Sequence, residues 1–337
     1  MTWPGEGLLI KLWETLAEKG VGGLLSPWQI KREAKAHIEA RRIEIVALAD
    51  AEREAEEIRA GRLKLEDSRY ALALPAPDRV GSNRRIEPTI DRLNPIALAT
   101  ANVVSDSLRR EVNVAKAITH AEEELRDDAL QPPERRIDDD WLFRWRDAAG
   151  TVSSDELQSL WGRLLAGELK SPGSYSYRTL EFVKNLTTPE AKLIERLSPF
   201  VITNFIARNQ KDVLETQGIS FGQLLELQDI GIISGVESLG LSLKLNSMEK
   251  ERFVNALRCH GRALIVTHAD PAKELKIAAY FLTNIGQQVI KLGRFNANEP
   301  YLRAVGEELK KAGATVSIAQ YRDISENEFQ VFNEQRI

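Results

Sequence analysis

From Trp28 to Ala60 the chain carries neither glycine nor proline, a run of 33 residues rich in Ala, Glu, Arg and Ile. A tight turn has few residues to work with there, and the residues that fill the run are mostly good helix formers. The stretch therefore predicts one long helix. Ser26-Pro27 places a serine N-cap before a proline at the first helical position. Ile38 and Ile45 share one seven-residue register, and Ala34, Leu48 and Ala55 share another that Arg41 interrupts. The heptad is too broken for an extended coiled coil, so a helical hairpin or an oligomer contact is expected.

Ahead of this run, Leu8, Leu9, Leu12, Trp13 and Leu16 recur at helical spacing, and Gly20, Gly22 and Gly23 follow. A short amphipathic helix over Gly7–Lys19 is predicted. Pro75, Pro77, Gly81 and Ser82 mark 72–83 as a loop. A second long helix is expected from about Pro88 to Asp128, broken or kinked near Asn94-Pro95. Its buried face holds Ile96, Val103, Val104, Leu108, Val112, Ala115 and Ile118. Gln131-Pro132-Pro133, running into 134–140, is read as the main linker.

Beyond it the predicted elements shorten. Helices are expected around Trp141–Trp145, after Ser153 or Ser154, over Tyr177–Asn185, and from Thr188-Pro189-Glu190. A Ser220-capped helix comes next, then a strand through Leu241, Leu243 and Leu245, and a helix around Lys250–Arg258. Strands Arg262–His268 and Leu275–Leu282 flank the turn at Asp270-Pro271. Helices Asn284–Leu292 and Glu299–Ala312 lead to a last strand, Thr315–Tyr321. The fold class expected is mainly α with a C-terminal α+β part. A long-helix domain for oligomerisation or partner docking occupies 1–131. A Trp/Arg-rich helical domain covers 137–218. A winged-helix-like α+β domain with a small β-sheet covers 219–337.

Composition narrows the function classes. Lys+Arg 46 against Asp+Glu 50 gives a formal charge of −4, which supplies no global attraction for nucleic acid or anionic lipid. A single cysteine excludes an intramolecular disulfide and a multi-thiolate zinc site. No run of roughly 18 apolar residues is present, as a membrane-spanning helix would need, and Met1–Gly23 does not read as a secretory signal. A cytoplasmic protein with a reduced thiol is expected. Phosphate-cradling loops, G-x-S-x-G and H-E-x-x-H are absent from the sequence. Neither a cofactor nor a metal is expected.

Several residues stand out against that background. Arg258, His260 and Arg262 cluster around Gly261 as candidate anion or ligand contacts, joined by Arg178 and Ser174 from the Pro172-Gly173-Ser174 turn. Cys259 lies beside His260, but adjacency alone does not pair a thiolate with an imidazolium. His268 and Asp270 offer too few ligands for a metal. Leu8, Leu12, Trp13, Trp28, Trp145 and Trp161 are the candidate interaction surface, the first three also as a contact with a membrane surface. In the helix Ser220–Ile230 the polar residues include Glu226 and Asp229 but no Lys or Arg, the wrong charge for phosphate contact.

The run Asp155-Glu156-Leu157-Gln158-x-Leu160-Trp161-x-x-Leu164-Leu165-Ala166-Gly167-Glu168, with Pro172-Gly173-Ser174-Tyr175-Ser176-x-Arg178-Thr179-Leu180-Glu181, resembles a bacterial family, domain of unknown function 2806. Ser26-Pro27-Trp28 and Arg258-x-His260-Gly261-Arg262 resemble it too. That family implies no activity. A looser similarity, through Glu156–Leu165, Leu180–Leu186, Pro189-Glu190-Ala191 and Tyr280-Phe281-Leu282-Thr283-x-x-Gly286, is to the abortive-infection alpha family, which implies antiphage defence.

The expected function is that of a non-enzymatic bacterial defence or stress-response protein. It would self-assemble as a homo-oligomer or engage a protein partner, and sense a partner or ligand. The alternatives are a DNA-binding winged-helix regulator, a nuclease-like enzyme of unrecognised type, and a peripheral membrane protein acting through its N-terminal helix.

Overall fold

The computed structural model describes residues 4–21, 50–63, 95–238, 241–323 and 329–337. Trp28 and most of the helix expected over 28–61 lie outside them, as does the 72–83 loop; the stretch 50–59 is helical. The chain divides into two compact units, Met1–Leu180 and Glu181–Ile337.

The first unit is helical: α1 (Glu6–Glu18), the 50–59 stretch, α2 (Pro95–Arg126), α3 (Asp139–Ala149) and α4 (Asp155–Lys170). Helix α2 starts at Pro95, where a proline costs no helix hydrogen bond. Asp138 and Ser154 cap α3 and α4 through hydrogen bonds from the N–H groups of Trp141 and Leu157. Helices α2 and α4 pack closely because Gly162 has no side chain. A Cβ there would lie 2.6 Å from His120 Cβ and 2.8 Å from the Ala117 carbonyl oxygen. Ala115, Ala117, Ile118 and Ala121 on α2 are fully buried. Inside, Asn113 donates to the Gly150 carbonyl at 2.9 Å and accepts from Gln158 at 3.2 Å, so these buried amides are satisfied.

Pro132-Pro133, read from sequence as the linker, lies inside this unit. Helix α1 holds the segment in place. Lys11 Nζ donates to the carbonyls of Pro133 and Arg135, Arg136 pairs with Glu18 at 3.2 Å, and Lys19 pairs with Asp139 at 2.6 Å. The division after Leu180 falls within helix α5 (Tyr177–Asn185).

The second unit continues with α6 (Thr188–Leu197), β1 (Phe205–Ala207), α7 (Lys211–Thr216), α8 (Phe221–Asp229), β2 (Ile233–Ser234) and β3 (Ser242–Leu245). It ends with β4 (Phe253–Cys259), β5 (Arg262–His268), β6 (Leu275–Leu282), α9 (Asn284–Ile290), α10 (Glu299–Lys311), β7 (Thr315–Asp323) and β8 (Phe329–Arg336). Capping boxes, Thr187 with Glu190 and Ser220 with Gln223, start α6 and α8. Two small antiparallel sheets result. In one, β6 pairs with β1, β2 and β3 in the order β1-β6-β2; the other runs β4-β5-β7-β8. Helix α10 packs on β7 and β5, closely enough that a Cβ on Gly306 would meet Ile337 Cδ1 at 2.8 Å.

Three sequence expectations change here. Val103, expected on the buried face of α2, is 69% exposed. Residues 253–259 form a strand, not a helix. Phe253, Leu257 and Cys259 share the buried face of a two-residue period, and the segment pairs along its whole length with β5. Strand β7 is also not the last, since β8 adds an edge beyond it.

Gly162→Ala forces the α2–α4 contact apart. The substitution is expected to cost about 1–3 kcal/mol, the usual range for overpacking, read as a lowered urea midpoint with unchanged helical circular dichroism at low temperature.

Candidate functional site

The sequence candidates in the second unit meet at the β4–β5 turn. Cys259 pairs with Arg262, leaving His260 and Gly261 as a two-residue hairpin loop. Both have positive φ, +41° and +77°, as the primed turns favoured in such hairpins require. Histidine tolerates that region better than most residues. Here it is also fixed by its ring, whose Nε2 donates to the Ser198 carbonyl at 2.7 Å and which stands edge-on to Phe295 at 5.5 Å. The proton therefore sits on Nε2. Burial pushes the ring's pKa below its ordinary value, which keeps the imidazole neutral at pH 7.

Beside this turn lies a cleft of about 460 Å³ lined by His260, Gly261, Arg262, Glu299, Gln320 and Phe332 among others. Strand register explains the grouping. Arg262 sits opposite Gln320 on β7, and Gln320 sits opposite Phe332 on β8, so all three share one face. Glu299 opens α10 behind the Asn298 cap. Arg262 Nη2 is 3.6 Å from Glu299 Oε2, while Arg303 donates to Glu299 Oε1 at 2.7 Å. The Arg303 hydrogen bond, with Arg262 and Arg303 charge, holds the Glu299 carboxyl below the ordinary carboxylate range, so it is ionised.

Arg258 does not join the cleft. Strand alternation puts it on the other face of the sheet, where its guanidinium lies 5.2 Å from the Phe329 ring centre and 5.9 Å from that of Tyr321. Cys259 is buried, its Sγ directed to the Pro199 carbonyl at 3.5 Å, and burial pushes the thiol up to about 12. It does not pair with His260. His268 accepts from the Asp270 N–H at 3.0 Å, and Asp270 accepts from the Ala272 N–H, which is ordinary turn chemistry. Among the described residues, no group of three or more His, Cys, Asp or Glu could hold a metal ion.

The remaining candidates belong to the first unit. Arg178 is exposed on α5. The turn holding Ser174 is already occupied by the buried Glu168 carboxyl group, which accepts from the N–H groups of Gly173 at 2.5 Å and Tyr175 at 3.0 Å. Burial pushes the Glu168 carboxyl above its usual range, outweighing these bonds and the nearby Arg135 charge. Trp141 donates to the Tyr175 carbonyl and Trp145 to the Trp161 carbonyl, so these indoles are core members with satisfied N–H groups. Leu8, Leu12, Trp13, Trp145 and Trp161 are all buried and present no surface, and Trp28 lies outside the described residues. The side chains that sequence reasoning missed at the cleft include Glu299, Gln320 and Phe332. Glu299 could have been noticed only by its place in the first turn of a helix, and the other two lie on strands whose pairing is long-range.

A family model described as a protein of unknown function (DUF2806) matches residues 99–306. No curated protein and no solved structure matches the chain.

Two outcomes follow from these environments. Because the folded Glu168 holds its proton more tightly than an unfolded glutamate, its contribution is present at acid pH and lost as pH rises through its raised pKa. Wild-type stability relative to Glu168→Gln, from urea titrations between pH 4 and 7, is expected to fall with rising pH. The lone thiol Cys259 is expected to resist a thiol reagent in the native protein and to react fully in denaturant.

Proposed function

The chain belongs to the DUF2806 family, and from that premise we propose that it is a non-enzymatic binding protein of bacterial defence or stress response. Its second unit is a winged-helix-like module that senses a small ligand in the cleft at His260 and Arg262; its long helices serve self-assembly or partner docking. The observation that carries this is the convergence of His260 and Arg262 with Glu299, Gln320 and Phe332 around one cleft.

The winged-helix-like description is supported by the order α6, β1, α7, α8 followed by antiparallel strands, with a sheet ordered β1-β6-β2. In that architecture α8 corresponds to the recognition helix. Its chemistry argues against DNA: residues 212–243 contain no lysine or arginine, and a phosphate backbone needs cations. Its glutamines are also committed internally, Gln223 to the Ser220 capping box and Gln228 to the Val236 N–H at 2.8 Å. Its exposed positions are Phe221, Gly222, Glu226 and Asp229.

The setting rests on the looser resemblance to the abortive-infection alpha family. Cells expressing the chain are expected to survive phage challenge better than controls, with Arg262→Ala removing the protection. No protection against a broad phage panel would sink the defence setting. The purified protein is expected to bind duplex DNA only in the non-specific range, about 10⁻⁴–10⁻⁶ M at physiological salt. A nanomolar, salt-steep affinity lost in Arg258→Ala would instead establish a DNA-binding regulator.

A further inference from the structure

The cleft in the second unit has a donor–acceptor pattern specific enough to name a ligand, resting on the ligand-sensing proposal above. Arg262 can only donate, and ionised Glu299 can only accept. They form an ion pair at 3.6 Å, longer than a hydrogen bond, so each keeps hydrogen-bonding capacity for a ligand. Arg303 donates to Glu299 Oε1 and Oε2 is the oxygen nearer Arg262, and each carboxylate oxygen keeps a lone pair for a further donor. Gln320 accepts from Asn333 Nδ2 through its own Oε1 at 2.8 Å, so its NH₂ end is the donor left for a ligand. His260 is neutral and tied to Ser198, and adds a wall without charge. Phe332, a large apolar ring 41% exposed to solvent, supplies a flat apolar flank.

A planar ligand that carries acceptors for a guanidinium next to donors for a carboxylate satisfies this set and can also lie on the ring. We propose that the cleft binds a guanine base, stacked on Phe332, with O6 and N7 accepting from Arg262 and N1–H and N2–H₂ donated to Glu299. Guanine offers two groups to each partner. Adenine and cytosine offer the carboxylate one amino group beside a ring-nitrogen lone pair, which an acceptor-only oxygen repels. The 460 Å³ cleft is within the size range of small-molecule sites. Guanine could reach it in a free mononucleotide or in a single strand, where base–aromatic stacking also contributes.

Titration calorimetry of the full chain with guanosine monophosphate tests this, with the adenosine and cytidine monophosphates as controls. Binding of the guanine nucleotide is expected, with the other two at least about tenfold weaker. A short guanine-containing RNA that binds tighter than the mononucleotide, and loses that affinity when its guanines become adenines, assigns the source to a single strand. Equal or weaker binding of that RNA assigns it to the free nucleotide.

Phe332→Ala, at a position 41% exposed to solvent and with folding checked by circular dichroism, is expected to weaken guanine binding at least about tenfold; Glu299→Gln is expected to erase the preference for guanine. Equal affinity for all three nucleotides, or guanine binding unmoved by both variants, overturns the proposal. Binding of free amino acids without any nucleotide also overturns it, while leaving the sensing function intact. If neither nucleotides nor amino acids nor a broader metabolite set stabilise the protein, the sensing function fails as well.

Discussion

The two-residue turn at His260-Gly261 is the constraint on which the candidate site depends. A hairpin loop this short fixes the register of its strands, because a slip of one residue would send every side chain to the opposite face. Register here decides that Cys259 and Arg262 face the helix while Arg258 and Ala263 face away. Strand β7 extends the frame by placing Gln320 against Arg262, and its Tyr321 N–H bonds the Gly261 carbonyl at 3.1 Å. A non-glycine residue with positive φ costs on the order of 1–3 kcal/mol. At His260 the bond to the Ser198 carbonyl and the packing against Phe295 offset that cost, so the same histidine sets the turn and anchors it to the preceding segment.

The first unit is held by a different kind of interaction, a buried carboxyl group used as internal scaffolding. Glu168 occupies the N–H groups of the 172–175 turn that an external anion would otherwise use. Tyr175 then presses its ring against Gly167, where a Cβ would lie 2.7 Å from Tyr175 Cε2. Trp141 bonds the Tyr175 carbonyl from the other side. The motif that most strongly marks the family resemblance, Ala166-Gly167-Glu168 with Pro172-Gly173-Ser174-Tyr175, is therefore explained by packing and hydrogen-bond satisfaction. Nothing in it requires a ligand, and chemistry must be sought elsewhere in the chain.

Local signals in the sequence carried much of the architecture. Caps at Ser154, Thr187 and Ser220 are written in adjacent residues, as are the leucine stripes of α1 and α4, and the helix starts follow them. Long-range pairing was harder to see. Residues 253–259 contain Asn255, Ala256 and Arg258, which weaken a strand pattern, and only the partner strand across His260-Gly261 makes the period of two decisive. Histidine-glycine is also a less marked hairpin signal than asparagine-glycine. Strand β8 was invisible for a similar reason, since Asn333, Glu334, Gln335 and Arg336 are residues of an exposed edge. At the site, Arg262 and His260 could be singled out as a basic cluster. Glu299 could not, because it lies 37 positions further along and enters only through the packing of α10 on the sheet.

Charge placement is the step at which composition turns into function. A formal balance of −4 says little by itself, but its distribution is uneven. Cations are missing from 212–243, the stretch that includes α8. The cleft, in contrast, sets a cation and an anion side by side, 3.6 Å apart, where each is partly exposed and neither neutralises the other by a hydrogen bond. A bare anion entering there would meet Glu299, and a bare cation would meet Arg262. Only a ligand carrying both kinds of group, or a polar edge that alternates them, meets an attractive partner at each. Selectivity of that kind comes from mismatched pairs being repelled as much as from matched ones being held.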